Sequence, residues 1–307
     1  MKKIDVSIVV LNYNTATLLA ELVKSVVKYT KEINYELIIV DNASDEPQSK
    51  ALLAKLLVDP KIKVIKNNQN YGFAKGNNIG IQVAKGEFVL LLNSDTYFSG
   101  NVLKPFIAWL RKNPKIGIAS VALKNQDGSL QGTGGYFPTL IRVWSWMLFL
   151  DDIPFFDALV KPFHPWHARS FYKNAKFFEK KQMVDWLTGA FFMIRKDVIE
   201  QAGLLDEEYF MYVEDLDYCF RVKKNGWKIV YNPNYSIVHL GGKSSKQDFP
   251  IISEFKALKL FYKKHYPSWQ GKFLTPAFKL GCLLRVVLFN LMNKSDIAKI
   301  YEKAFVS

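Results

Sequence analysis

Four polar clusters and one histidine hold the side chains in this sequence whose types and spacing could do chemistry. Asn12-Tyr13-Asn14-Thr15 follows a β-branched run over residues 4–11, and Asp41-Asn42-Ala43-Ser44 follows the apolar run 37–40. Asn93-Ser94-Asp95 follows the apolar run 88–92. A tyrosine can stack on a nucleobase, and a carboxylate can accept a hydrogen bond from a base or a ribose. The ordinary alternatives are that Asn14 or Thr15 caps a helix and that Asp41 serves a turn. Asp95, with no other charge nearby except Glu87, is suited to a divalent cation that bridges two phosphates, although a turn explains such an aspartate too. Glu214-Asp215-Leu216-Asp217 puts three carboxylates in a first helical turn after apolar 209–212. Beside such a wall a carboxylate pKa rises toward that of a general base. The structural alternative is a helix N-terminus with an Asp217–Arg221 pair at i,i+4. His239, just before Gly241-Gly242, is either a metal ligand at a strand end or a packed histidine.

The elements that must position these groups follow from hydrophobic period. The first hundred residues alternate strand and helix patterns, which predicts a parallel α/β sheet. Strands are expected at 4–11, 36–41, 62–65, 88–92 and 116–123. Helices are expected at 18–27, 48–58, 74–84 and 101–113. The strand-end clusters then share the rim where open α/β sheets bind ligands. The segment Gly72 to Asn78 opens a helix, where backbone N–H groups favour an anion. It is neither G-x-G-x-x-G nor a P-loop. Asp127-Gly128 reads as a hairpin turn. Residues 138–182 are irregular and aromatic, with Trp144, Trp146, Phe149, Phe155, Phe156, Phe163, Trp166 and Phe171. A strand over 184–194, a helix over 214–226 and short strands at 227–231 and 236–239 follow. The tail from about 251 reads as three helices.

Composition narrows the setting. Hydrophobic residues make up 49% of the 307, enough for a sizeable core. Cys219 and Cys282 lack disulfide or metal spacing and read as buried thiols of a reducing compartment. The start of the sequence runs into a strand pattern rather than a signal peptide, and no apolar stretch reads as a membrane span, so a cytoplasmic location is expected. The net charge is +14, and half of it lies from Lys246 onward, where eleven Lys/Arg face four Asp/Glu. No nucleic-acid-binding pattern accompanies this charge. Over 276–293, Phe278, Leu280, Leu283, Leu284, Val287, Leu288 and Leu291 accompany Lys279 and Arg285. That pattern suits a helix lying in a membrane interface, or one docked on the fold. With Lys256, Lys259, Lys263, Lys264 and Lys272, it leads us to expect an anionic membrane surface as partner.

Seven segments, in order, carry a resemblance: VSIVVLNYN, ELIIVDNAS, NYGFAKGNN, FVLLLNSD, WLTGAFFMIRKDV, GLLDEEYFMYVEDLDYCFRVKKNGW and VHLGG. Together they resemble the family 2 glycosyltransferases of the GT-A fold, over roughly residues 5–245, and most of all the rhamnosyltransferase-type branch. The resemblance implies an α/β, Rossmann-like nucleotide-diphospho-sugar transferase fold: a mixed sheet flanked by helices, with a helical C-terminal extension. Residues 1–123 would form the nucleotide-sugar half, 124–245 the acceptor and catalytic half, and 246–307 a basic helical tail.

The same resemblance implies roles. Tyr13 and Asp41 face the base, with Asn14 and Asn42 near. Asn77 stands where many relatives place an arginine near the diphosphate. Asn93-Ser94-Asp95 occupies the DXD position, leaving Asp95 as principal carboxylate for Mn2+ or Mg2+, with His239 as a further ligand. Asp215 matches the catalytic base, with Glu214 beside it, and Trp186, Thr188 and Gly189 line the acceptor side. The expected activity is metal-dependent, inverting transfer of a sugar, rhamnose from dTDP-rhamnose by preference over a UDP-hexose or UDP-HexNAc. The expected acceptor is a glycan or lipid-linked glycan in cell-envelope polysaccharide synthesis, met by an enzyme peripheral to the inner face of the membrane. A sugar-nucleotide pyrophosphorylase and a non-catalytic assembly factor are the rival readings.

Overall fold

The computed structural model describes residues 3–56, 59–153, 156, 159–165, 175–241 and 249–306. Phe155, Trp166 and Phe171 of the aromatic stretch, Gly242, and Lys246 at the head of the basic tail fall outside them.

Strand runs such as Val-Ser-Ile-Val-Val-Leu-Asn are buried almost end to end, as expected of strands covered on both faces. The strands are β1 (Val6–Asn12), β2 (Tyr35–Asp41), β3 (Ile62–Lys66), β4 (Phe88–Asn93), β5 (Thr96–Tyr97) and β6 (Ile116–Lys124). They continue as β7 (Gly134–Gly135), β8 (Gln182–Met183), β9 (Trp186–Leu187), β10 (Phe191–Arg195) and β11 (Lys228–His239). The main sheet runs β3-β2-β1-β4-β10-β6-β11-β5, with β8 also on β11. β3, β2, β1 and β4 are parallel, while β10 lies antiparallel between β4 and β6. The sheet is therefore mixed, as the resemblance implies: its first four strands are parallel as their pattern predicts, and β11 is parallel to β6.

Two strand expectations change in detail. The single strand expected over 184–194 is two, β9 and β10, separated by the turn at 188–190. The two strands expected at 227–231 and 236–239 are one, because β11 passes through an irregularity between Asn232 and Ser236 and resumes pairing with β6. At the Asp127-Gly128 turn, Gly128 has φ +84 and Asn125 N donates to the Ser129 carbonyl at 2.8 Å.

Helices α1 (Ala16–Tyr29), α2 (Pro47–Leu56), α3 (Gly72–Val83), α4 (Leu103–Arg111), α5 (Leu140–Met147), α6 (Lys196–Ala202) and α7 (Glu214–Lys224) accompany these strands along the chain. Leu19, Leu22, Val23 and Val26 of α1 share one buried face, whereas Val27 is exposed. The chain forms two compact units. One comprises residues 1–134, 176–210 and 214–244, and contains the sheet from β1 to β6 and β8 to β11. The other comprises 135–175, 211–213 and 245–307, so the aromatic stretch and the tail fold together.

In this second unit the tail forms α8 (Phe249–His265), α9 (Ser268–Lys272), α10 (Leu274–Leu291) and α11 (Ser295–Val306). α9 and α10 run on as one helical stretch of 24 residues, Ser268–Leu291. It is long and apolar enough to cross a bilayer, which corrects the expectation that nothing here could. It also carries a docked face: Leu274, Ala277, Phe278, Gly281, Cys282 and Phe289 are buried. Arg285, expected among the surface cations, is buried too. Its guanidinium donates to the carbonyls of Met147 at 2.7 Å and Trp146 at 2.8 Å, at the end of α5. Those peptide oxygens lie in the last turn of a helix, where a cation is favourable.

In the sheet-bearing unit, close approach of α3 to the strands depends on glycine. A Cβ at Gly80 would lie 2.4 Å from Val9 Cγ1 and 3.2 Å from Val40 Cγ2. Gly80→Ala should therefore destabilise the protein by about 1–3 kcal/mol through overpacking, against a helix-propensity gain of only about 1 kcal/mol. Urea unfolding measures the balance; an unchanged or raised midpoint would show that α3 does not pack this closely.

Candidate active site

The carboxyl ends of β1, β2 and β4 are joined by one buried chain of polar side chains. Asn12 Nδ2 donates to Asp41 Oδ1 at 2.7 Å, and Ser44 Oγ donates to the same oxygen at 2.6 Å. The Thr15 hydroxyl donates to Asn12 Oδ1 at 2.8 Å and lies 2.9 Å from Ser94 Oγ. Parallel register makes this possible: Asn12 pairs with Asp41 on β2, and Leu11 with Asn93 on β4. Three loops distant in sequence are thus fixed at one rim.

The expected nucleotide-side residues divide into frame and tips. Asp41, Asn42 and Asn77 are buried. Asn42 donates to Asn70 Oδ1 and the Gly72 carbonyl, and accepts from Asn67 Nδ2 and Tyr71 N. Its hydrogen-bonding capacity is thus used in holding the 67–72 loop. Asn77 turns back on its own helix, donating to the Phe73 carbonyl at 2.9 Å. Tyr13 is 44% exposed, which leaves its ring face available. Asn14 holds a left-handed backbone, φ 53, while its side chain bonds Asp45 at 2.7 Å.

Asp95 and His239 are brought together by pairing of β5 with β11, in which Thr96 faces His239. Leu240 N donates to the Asp95 carbonyl at 2.9 Å, closing the corner. His239 Nε2 then lies 3.3 Å from Asp95 Oδ1. The Gln131 amide nitrogen donates to the His239 carbonyl and to Asn125 Oδ1, which turns its oxygen toward His239 Nδ1 at 2.7 Å. With that amide orientation Nδ1 carries the proton, and in the neutral ring Nε2 presents its lone pair to the carboxylate. A ring lone pair and a carboxylate oxygen this close are two donors suited to one metal ion. Among the described residues no group of three or more His, Cys, Asp or Glu side chains is placed to hold a metal. Asp95 and His239 fit an ion as a pair of ligands, with further oxygen ligands needed from a bound substrate or water.

The acidic helix start reaches the same rim through the turn after β9. Asn93 N donates to the Ala190 carbonyl at 3.2 Å, and Gly189 N donates to Asp215 Oδ2 at 2.9 Å. A single turn therefore tethers Asp215 to the end of β4. Gly189 cannot be larger without displacement, since its Cβ would meet the Phe73 ring at 2.8 Å. Thr188 N donates to the Thr133 carbonyl at 2.8 Å, which fixes the other side of the turn, and Trp186 is half-buried on β9.

The carboxylates of α7 have distinct environments. Asp217 is fully buried and accepts from Arg221 Nε at 2.8 Å, the expected i,i+4 pair. Arg221 also donates to the carbonyls of Ala202 at 2.5 Å and Leu204 at 2.8 Å, tying the end of α6 to α7. Asp215 also accepts from Leu216 N at 2.7 Å. Glu214 is buried with Oε2 unpartnered, and burial, then the charge of Asp215, pushes its pKa well above the usual range. The elevation expected from the apolar surroundings is thus seen at Glu214. Tyr212 and Val213, just before it, both have left-handed backbones, φ 72 and φ 70. For a β-branched valine that conformation costs on the order of 1–3 kcal/mol.

Sequence reasoning did not single out Gln131 or the connecting roles of Asn12, Thr15 and Ser44. The latter three stood inside clusters that were noticed, and strand register could have linked them. Gln131, a lone amide after a turn, carried no signal.

The glycosyl transferase family 2 model matches residues 7–203, well over half the chain, and the chain belongs to that family. It is 23% identical over 248 residues to N-acetylglucosaminyl-diphospho-decaprenol L-rhamnosyltransferase of Mycobacterium tuberculosis (strain CDC 1551 / Oshkosh), covering 76% of each chain. Its fold resembles that of GalNAc-T7 with UDP, GalNAc and Mn2+, with TM-score 0.64 and 17% identity. That match covers 91% of this chain and about half, 51%, of the other. It also resembles the mannosyltransferase PcManGT of Pyrobaculum calidifontis in complex with GDP-Man and Mn2+. There the TM-score is 0.58 at 13% identity, over 100% of this chain and 87% of the other. The protein is a glycosyltransferase with a GT-A fold, which displaces the pyrophosphorylase reading.

The buried glutamate gives a pH signature. Its pKa is raised in the folded state, so folding is favoured while Glu214 is protonated, and that stability is lost as pH rises above its ordinary value of 4.5 toward the folded pKa. Glu214→Gln keeps the shape without the charge. The melting temperature of this variant should exceed that of the native protein by a margin that grows from pH 4.5 to pH 8. A margin independent of pH would show that Glu214 ionises freely.

Proposed function

We propose that this glycosyltransferase moves rhamnose from dTDP-rhamnose to a lipid-diphosphate-linked glycan, with inversion at the anomeric carbon, in cell-envelope polysaccharide synthesis on the cytoplasmic side of the membrane. The observation that carries the chemistry is Asp215, tethered through Gly189 to the strand end that bears Asp95. Likeness to a rhamnosyltransferase whose name specifies a diphospho-decaprenol acceptor supports the donor and acceptor classes. The two buried free thiols, Cys219 and Cys282, support a reducing compartment.

The acceptor hydroxyl attacks the anomeric carbon as its proton passes to Asp215. The new C–O bond forms on one face of the sugar while the bond to the diphosphate oxygen breaks on the other, and that bond's electron pair leaves with the nucleoside diphosphate. Attack from the opposite face inverts the centre, through a transition state with oxocarbenium character. Asp95 and His239 would hold a manganese or magnesium ion, which when bound supplies positive charge against the leaving diphosphate. The Mn2+ in the two GT-A structures supports a divalent ion in this role. Tyr13, with its ring exposed, is assigned to stack on the base, and Asp41 frames that position. Trp186, Thr188 and Gly189 line the acceptor side in this assignment.

Asp215→Asn should lower transfer by about 100-fold or more, the usual scale of losing a general base, while donor affinity stays within a few-fold. Product assay and donor titration measure the two effects. Near-native turnover would remove Asp215 from the mechanism and move attention to Glu214.

Calorimetric titration of dTDP-rhamnose against UDP-hexoses and UDP-HexNAc, with Mn2+ and with chelator, tests donor and metal together. The expected result is tighter dTDP-rhamnose binding that weakens in chelator, with Asp95→Ala reproducing the chelator effect. A preference for a UDP-sugar would overturn the donor assignment, and metal-independent binding and turnover would overturn the metal site.

A further inference from the structure

The helical stretch Ser268–Leu291 has two faces of different character. Its docked face is buried within the second unit, where a Cβ at Gly281 would already touch Met147 and where Arg285 is held by the α5 carbonyls. Its other face is apolar and exposed. Leu280 is 38% exposed, Leu283 51%, Leu284 38%, Val287 53% and Leu291 78%. With Phe273, 50% exposed, these make six side chains spaced by seven, three, one, three and four residues. At the α-helical repeat they fall within a stripe about 100° wide. Lys272 and Lys279, both exposed, border one side of the stripe, and exposed Lys294 follows its end. Exposed Trp269 stands one turn before Phe273.

Water leaves so much clustered leucine uncovered at a cost, and the order of the residues indicates what covers it. A second protein surface would favour apolar and paired polar rims, whereas a row of lysines beside a leucine stripe, with a tryptophan near its end, matches the layering of an anionic bilayer surface. We infer that α10 lies in the plane of an anionic membrane. Leu280, Leu283, Leu284, Val287 and Leu291 sink into the acyl boundary, and Lys272, Lys279 and Lys294 meet lipid phosphates.

Length and composition alone would let this stretch span the bilayer, but its own packing opposes that. About 39% of its apolar window is buried inside the protein. Spanning would strip that face from α5 and carry Arg285 into hydrocarbon without its carbonyl partners. In the plane, the docked face stays docked and only the exposed stripe changes solvent. This seating does not depend on the donor or metal assignment, so the two can fail separately.

The test is flotation of the full-length protein with phosphatidylcholine vesicles and with mixed phosphatidylcholine–phosphatidylglycerol vesicles. Binding should be strong to the mixed vesicles, weaker to the neutral ones, partly reversed by salt, and released by alkaline carbonate. The double variant Leu283→Glu, Val287→Glu should reduce partition by about tenfold or more. Lys272→Gln with Lys279→Gln, at exposed positions, should reduce only binding to the anionic vesicles. Thermal melts establish that each variant is folded. Equal binding by the native protein and both variants would overturn the inference. So would carbonate-resistant retention, which signals a spanning helix. Absence of vesicle binding together with a dimer in sedimentation that Leu283→Glu, Val287→Glu dissolves would assign the stripe to a second copy of the chain.

Discussion

The candidate site depends on the hydrogen bond from Asn12 to Asp41, the link between the ends of two parallel strands. Around it, Ser44, Thr15 and Ser94 complete a buried polar chain that reaches the third strand end. These residues are buried, so each bond is held by the cost of breaking it. An unpaired buried donor or acceptor costs about 1–3 kcal/mol. Replacing Asn12, Asp41, Ser44 or Thr15 would therefore disturb more than one loop, because each of these side chains bonds at least two others. The polar chain does for the rim what leucine and valine do for the sheet beneath it.

Burial also sorts the acidic residues at the start of α7. Three carboxylates stand within four positions, yet they share no common role. Asp217 is paired with Arg221, which in turn secures the end of α6 to α7. Glu214 is enclosed without a partner for one oxygen, so its neutral form is favoured. Asp215 stays half-buried and accepts from two backbone N–H groups. The three carboxylates are thus divided among three environments. Helical geometry produces this division by turning successive residues toward different surroundings.

Much of this was legible in the sequence because it rests on local pattern. Near-continuous apolar runs gave the central strands, and a 3.6-residue period gave α1 and α3. Abrupt changes from apolar to polar after Leu11, Val40 and Leu92 marked the rim. Properties that depend on distant partners were not legible. Nothing in the period of residues 191–195 shows that β10 runs antiparallel between β4 and β6. Nothing near Gln131 shows that it will orient His239 from 108 positions away. Arg285 reads as one more tail cation until α5 supplies the carbonyls that bury it. Asn42, placed beside a base by resemblance, proves to use its hydrogen bonds on the 67–72 loop.

The contrast between buried Asn12, Asp41 and Asn42 and the exposed neighbours Tyr13 and Asn14 has a consequence for variation. The frame tolerates little change, since each of its atoms is committed to a neighbour. The Tyr13 ring projects from that frame without holding it together, and Asn14 spends its side chain on Asp45 at the surface. Mutations of Tyr13 can thus alter what a ligand meets while the scaffold persists, whereas Asn14, left-handed and accepting from Asp45 N and Glu46 N, is less free to change. Such a division lets a lineage explore new ligands in single steps, each passing through a folded protein.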